Sequence, residues 1–160
     1  MKRHPALISL SRGHHNGLVQ GSRLRRAAGD GDASARLAAA GDFVEFFRNE
    51  ERAHLRDEEE ELFPLLLRNV PAQPAPLREA RLQHMQLEGF ARKLAIAVAA
   101  GIVDRATLDA AGELLEAHIR LEERQLFPLI EELVPDDELR RLGLPDRDAS
   151  CAVRRPPLTS

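Results

Sequence analysis

Four of the six histidines in this 160-residue chain stand in patterns that chemistry can use. His54 and Glu58 are four residues apart, and so are His118 and Glu122. On a helix that spacing sets an imidazole and a carboxylate one above the other on a single face, where both reach one cation. Each pair heads the same phrase. His54, Glu58, Leu62-Phe63-Pro64-Leu65 returns 64 residues later as His118, Glu122, Leu126-Phe127-Pro128-Leu129, and the correspondence runs on to Val70-Pro71 and Val134-Pro135. His14 and His84 belong to a second correspondence, at an offset of 70, which also aligns Leu7 with Leu77, Leu24 with Leu94 and Ala28 with Val98. That repeat selects His14 over its neighbour His15, because the alternative offset sets Arg25 against Leu94. Imidazole and carboxylate without thiolate suit iron or manganese, and zinc is also accommodated. Burying so many ionisable groups without a cation is expensive, whereas metal satisfies them together. The pattern predicts two ions, each with His ligands, bridged by Glu58 and Glu122.

Other carboxylates compete for a place near these residues. Glu51 stands one turn before His54, and Glu61 returns to the same face seven residues after it. Both are candidates to support the ligands by hydrogen bonding, and Glu61 also to be an extra ligand. Glu88, four residues after His84, is a further candidate ligand. The remaining acids of the Asp57 to Glu61 run read as a solvated face. Gly13, Gly17 and Gly21 recur every four residues, which fits close approach of a neighbouring helix, room for a small ligand, or simply a weak helix.

Several classes of function are excluded. One cysteine, Cys151, leaves no disulfide framework and no Cys-based zinc or iron–sulfur site, and fits a reducing, cytoplasmic setting. There is no Tyr or Trp to serve as a radical site, and no Ser or Cys nucleophile is paired with a base. A net charge of −3 gives no drive toward nucleic acid. The apolar run Ala6 to Leu10 is too short for a membrane span or a signal-peptide core.

The elements that must position these residues are helices. The chain holds 25 Leu, 23 Ala and 21 Arg against seven Val, five Ile and two Thr, a balance that favours helix over sheet. Pro5 opens a first helix that Gly29-Asp30-Gly31-Asp32 closes. A second runs from about Ser34 to Asn69, with an interruption at Gly41-Asp42 where Asp42 would cap a new start. A proline-rich break at 70–76 precedes a third helix, which stops at Gly101. Asp104 caps a fourth that runs to about Leu133, and a short helix over Asp136 to Leu142 follows. The domain is expected to span 1–143, with 144–160 a disordered tail.

Apolar positions recur at heptad spacing in all four helices, as in an all-α antiparallel up-down four-helix bundle. Each inward stripe is interrupted midway by one histidine. The stripes include Leu10, His14, Gly17; His54, Glu58, Glu61, Leu65; Ala80, His84, Leu87; and His118, Glu122, Gln125, Leu129. His84 lies 16 residues before Ala100 and His118 lies 14 after Asp104, so at about 1.5 Å per residue the two share one level. His14 and His54 share a level only if the second helix begins near Asp42. The phenylalanines at 43, 46 and 47 are expected to pack one end of the core, Phe63 and Phe127 to close the bundle near breaks at Pro64 and Pro128, and Met85 to fill the core.

The paired His-x-x-x-Glu segments followed by Leu-Phe-Pro, with a His in each intervening helix, resemble the hemerythrin-like (HHE cation-binding) family over roughly residues 5–135. The resemblance implies an up-down four-helix bundle around a non-haem centre of two iron ions (Fe2+/Fe3+), carboxylate- and oxo-bridged. It places metal ligands at His14, His54, Glu58, His84, His118 and Glu122. Members bind oxygen, sense oxygen, iron or redox state, or act in repair of iron centres damaged by nitric oxide. A small diatomic or peroxide ligand at the metal is therefore implied. Oxygen carriers of the family have His-x-x-x-His in the third helix and His-x-x-x-x-Asp in the fourth. This chain has His84-x-x-x-Glu88 and His118-x-x-x-Glu122, which favours the sensing, oxidase-like or iron-handling members. Two other readings stand beside this one. The first is a metal-independent interaction module, whose polar layer fixes register and whose outer faces bind a protein partner or form a homodimer. The second is a di-iron or di-manganese oxidase or catalase-like enzyme.

Overall fold

A computed structural model describes residues 3–145. Of the tail expected at 144–160, residues 146–160, with Cys151, lie outside them, and Leu144 packs partly buried against the core. Among the described residues there is no strand, and no helix is long and apolar enough to cross a membrane. A single 3-10 turn at Pro5–Leu7 leads into α1, Ile8–Gly29. The second helical stretch, α2, covers 33–68, and α3 is Ala75–Ala100. The stretch α4 covers 105–133, and the short α5 is Asp136–Arg140. Each of the four long stretches packs against the next, and α1 closes the ring against α4.

The starts and stops have identifiable causes. The Asp32 carboxylate accepts from the Ala35 N–H at 2.8 Å, and the Asp104 carboxylate from the Thr107 N–H at 2.8 Å, each filling a helix N-terminus that lacks intrahelical partners. Gly101, at φ 73°, ends α3 in the left-handed conformation that glycine adopts without strain. The interruption expected at Gly41-Asp42 does not form: Ala33–Phe46 is continuous helix. One interior glycine costs about 1 kcal/mol, less than the next turn recovers by burying Phe43, Val44, Phe46 and Phe47. His54 lies 21 residues after Ala33, whereas His14 lies 15 before Gly29. The surplus matches the first two turns of α2, where residues 33–39 include no buried side chain.

Pro64 and Pro128 do not break their helices. Instead the preceding turn widens to a π turn, at Glu58–Leu62 in α2 and Glu122–Leu126 in α4. The Phe63 N–H donates to the Glu58 carbonyl and the Phe127 N–H to the Glu122 carbonyl, each five residues back. A proline brings no N–H and crowds the carbonyl four residues before it, here Glu60 and Arg124, and a wider turn relieves that crowding while keeping the chain helical. A third π turn lies at Phe47–Glu51. The extra residue advances the register by one. After Glu58 the inward residues are Leu62, Leu65 and Leu66, and Glu61 is exposed; after Glu122 they are Leu126 and Ile130, and Gln125 is exposed.

The core divides in two around the histidine level. On one side lie Leu24, Phe43, Phe47, Leu87, Leu94, Leu108 and Leu115. On the other lie Leu7, Leu10, Leu62, Phe63, Leu77, Phe127 and Ile130. Met85 is not core filler: it is 72% exposed, because one step from His84 turns it about 100° off the inward stripe.

The approach of α1 to α4 is closest at Gly21 and Gly112. A Cβ on Gly112 would lie 2.8 Å from the Gly21 carbonyl oxygen and 2.6 Å from Arg25 Cγ, whereas one on Gly89 would meet nothing within 4 Å. Gly112→Ala is therefore expected to destabilise by roughly 1–3 kcal/mol, and Gly89→Ala to stabilise by about 0.5–1 kcal/mol. Urea unfolding of the two variants checks the opposite signs.

Candidate metal centre

One histidine from each long helical stretch and one glutamate from each of α2 and α4 meet between the two apolar clusters. Glu58, His118 and Glu122 have no exposed surface, and His14, His54 and His84 are also buried. His14 Nε2 lies 3.0 Å from Glu122 Oε2, and His54 Nε2 lies 3.2 Å from Glu58 Oε1. His84 Nε2 is 3.4 Å from Glu58 Oε2 and 3.6 Å from Glu122 Oε1, while His118 Nε2 is 3.5 Å from Glu122 Oε2. The imidazoles pair off, His14 with His54 and His84 with His118, at ring-centroid distances of 4.8 Å in both pairs. The atoms form two groups able to hold an ion: His14, His54, Glu58 and Glu122, and Glu58, His84, His118 and Glu122, each with ligand atoms within 4.8 Å of one another. Both groups contain both carboxylates.

The outer nitrogens of three imidazoles are tied down. His14 Nδ1 lies 2.7 Å from Glu123 Oε1, His84 Nδ1 lies 3.0 Å from Glu59 Oε1, and His118 Nδ1 lies 3.2 Å from Gln83 Oε1. Each oxygen accepts an Nδ1–H, which turns Nε2 toward the centre of the cluster. Phe127 stacks on the His14 ring and Phe63 on the His84 ring, at 5.4 Å in both cases. The inner atoms are not hydrogen-bonded in the same way. Among the described residues, both oxygens of Glu58, both of Glu122, and Nε2 of His84 and His118 are buried without a well-directed hydrogen bond, close as they lie to one another. Such groups are rare in a folded protein, because a buried polar atom without a well-directed partner keeps part of its desolvation cost. A cation held by these groups would supply those lone pairs with a partner, and the imidazole and carboxylate donors fit iron, manganese or zinc.

Charge within the cluster is strongly coupled. Burial works against protonating His14 and His84, but the carboxylates of Glu122, Glu123, Glu58 and Glu59 outweigh it and raise the two to about 10 and about 11. Burial likewise opposes a charge on His54, and Glu58 reverses the balance and raises it. For His118 burial prevails and lowers it to about 4. Burial favours the neutral acid in Glu58 and Glu122, yet the surrounding imidazoles hold Glu58 well below the usual carboxylate range and Glu122 down to about 2. Without metal, imidazolium protons occupy the role that a cation would take.

All six residues expected as ligands converge here. The competitors do not. His15 and Glu61 are exposed, the latter because of the π turn, and Glu88 receives hydrogen bonds from Arg52 at 3.2 and 3.4 Å instead. Glu51 is buried one turn before His54, and burial raises its carboxyl. Gly13 leaves no vacant room: a Cβ there would lie 3.0 Å from His54 Nδ1, and one on Gly17 would lie 2.7 Å from Ile119 Cδ1, so the glycine row serves close approach. Glu59, Glu123 and Gln83 are the residues that sequence reasoning missed. Glu59 and Glu123 do correspond at the 64-residue offset, a signal masked by the surrounding run of acids.

An all-helical protein with a buried His/Glu cluster able to hold cations is a cation-binding helical domain. Residues 6–130 match the family profile described as the hemerythrin HHE cation binding domain, and the chain belongs to that family. No curated protein and no solved structure matches it significantly.

The electrostatics of the cluster imply how the metal-free protein responds to pH. The raised His14 and His84 contribute stability below their ordinary 6.5, and it is lost as pH rises toward about 10 and about 11. The lowered Glu122 contributes above its ordinary 4.5, and that is lost as pH falls toward about 2. His118, lowered to about 4, costs stability as pH falls below 6.5. Chelator-treated protein is therefore expected to resist urea best near pH 6.5 and less at pH 3 and pH 10.

Proposed function

We propose that this protein holds two non-haem iron ions in the His/Glu cluster, and that it uses them to react with or sense O₂, NO or peroxide. The supporting observation is the overlap of the two ligand groups, each with its own pair of histidines and both with Glu58 and Glu122. Bound iron would supply one-electron chemistry and open coordination positions for a small ligand, since six side chains shared by two ions fill neither ion. The chain's own residues do the rest. Glu123, Glu59 and Gln83 orient the imidazoles, and the two apolar clusters exclude water from the layer.

The third helical segment offers one histidine to the site, with Glu88 engaged by Arg52, which supports sensing or iron handling over reversible oxygen carriage. The buried atoms without hydrogen bonds weigh against a metal-independent interaction module, because a polar layer that only fixes register satisfies its own members. The single cysteine supports a cytoplasmic setting.

Metal analysis after iron-replete expression tests the reading. About two equivalents of iron with near-ultraviolet oxo-to-iron absorption are expected; well under one equivalent and no such band contradicts it, and manganese or zinc in its place corrects the metal. His118→Ala combined with Glu122→Ala is expected to lower the metal content sharply, and an unchanged content would refute the ligand assignment. Because His14 and His84 hold protons up to about 10 and about 11 in the metal-free protein, metal uptake at pH 7 is expected to release at least two protons. Titration calorimetry in buffers of different ionisation enthalpy measures that number.

A further inference from the structure

The two halves of the cluster match closely inside and differ outside. In the half built on His84, the ring is backed by Phe63 and its Nδ1 meets Glu59. Arg81, one turn earlier on the same helix, donates to Glu59 at 3.0 Å. In the half built on His14, Phe127 and Glu123 take the same places. The position that corresponds to Arg81 at the 70-residue offset is Ser11, which brings no cation.

The missing cation arrives from elsewhere. Arg3 Nη2 donates to Glu123 Oε2 at 2.5 Å and to the Glu123 carbonyl at 2.9 Å, and Nη1 donates to Glu131 at 3.3 Å. The same guanidinium lies over the Phe127 ring, 5.2 Å from its centroid. Arg3 thus reaches His14 twice, by hydrogen bonds through Glu123 and by stacking through Phe127. The segment that carries it is held against α4 and α5: the His4 N–H donates to Glu131 at 2.7 Å, and His4 Nε2 lies 3.0 Å from Asp136 Oδ1. Among the described residues no ring lies beneath Arg81, and its side chain is 46% exposed, against 20% for Arg3.

We infer that Arg3 is a positioning residue for His14, so that the segment before α1 clasps the His14/His54 ion position and leaves the His84/His118 position to Arg81. This rests on the two-metal reading above. Glu123 is 28% exposed; without Arg3 it keeps only His14 and the Ser11 hydroxyl beside it, turns to solvent more readily and loosens the His14 ring. Partners that orient a metal-binding histidine typically change metal affinity about 10–100-fold when removed.

The test uses the full chain loaded anaerobically with Fe2+, its release followed with a colorimetric iron(II) chelator. In Arg3→Ala one equivalent is expected to leave about 10–100-fold faster than in the unmodified chain, with the other unchanged. Arg81→Ala accelerates the other equivalent, and Arg3→Lys, which keeps the charge but not the flat stack, falls between. A second readout needs no metal. The His14 Nδ1–H resonance, protected from exchange by Glu123, is expected to lose protection in Arg3→Ala while that of His84 keeps it. Wild-type release of both equivalents, equal acceleration of both, or an unaltered His14 resonance would overturn the inference. Failure of the unmodified chain to take up iron counts against the two-metal reading, and the His14 resonance then decides the role of Arg3 alone.

Discussion

Two glutamate side chains with no exposed surface, Glu58 and Glu122, set the terms for everything around them. Removing a carboxylate from water costs several kcal/mol even after the protein relaxes, and here two share one layer whose nearest polar neighbours are imidazoles at 3.0 to 3.6 Å. Four imidazoles, one from each helical stretch, supply the compensation. The apolar clusters above and below keep the local dielectric low, so the charges act on one another more strongly than they would near water. The shifts follow: histidines raised to about 10 and about 11 beside a carboxylate lowered to about 2. The layer favours positive charge, met by protons in the absence of metal and suited to metal in their place.

The backbone adapts to the same layer. Each site carboxylate is the first residue of a π turn, and each of these two π turns ends two residues before a proline. The wide turn lets Pro64 and Pro128 continue their helices and sets Phe63 and Phe127 against the His84 and His14 rings. The two halves then diverge outside the six clustered side chains. His118 meets Gln83, while the residue facing His54 at the corresponding position is Gly13. Glu59 draws on Arg81, and Glu123 on Arg3.

The helical character and the six converging side chains were legible in the sequence because they rest on local periodicity. His at midstripe, Glu four residues later and a repeat at two offsets survive any reasonable packing. The details that were not legible depend on events outside the helical period. An ideal heptad places Glu61 and Gln125 inward, and one extra residue in the π turn puts Leu62 and Leu126 there instead. Gly41-Asp42 looks like a boundary, yet the burial of Phe43 and Phe47 carries the helix through it. Glu59 and Glu123 were hidden because a supporting carboxylate and a solvated one are the same residue until a neighbouring helix brings an imidazole to it. Arg3 was illegible for a different reason: its partners lie 120 and 128 positions away, beyond any spacing rule.

Anomalous diffraction from crystals of the iron-loaded protein tests the central claim most directly. Two iron peaks about 3.5–4 Å apart, one beside His14 and His54 and the other beside His84 and His118, with Glu58 and Glu122 reaching both, are the predicted result. A single peak, no peak within the layer, or iron bound elsewhere on the chain would contradict it.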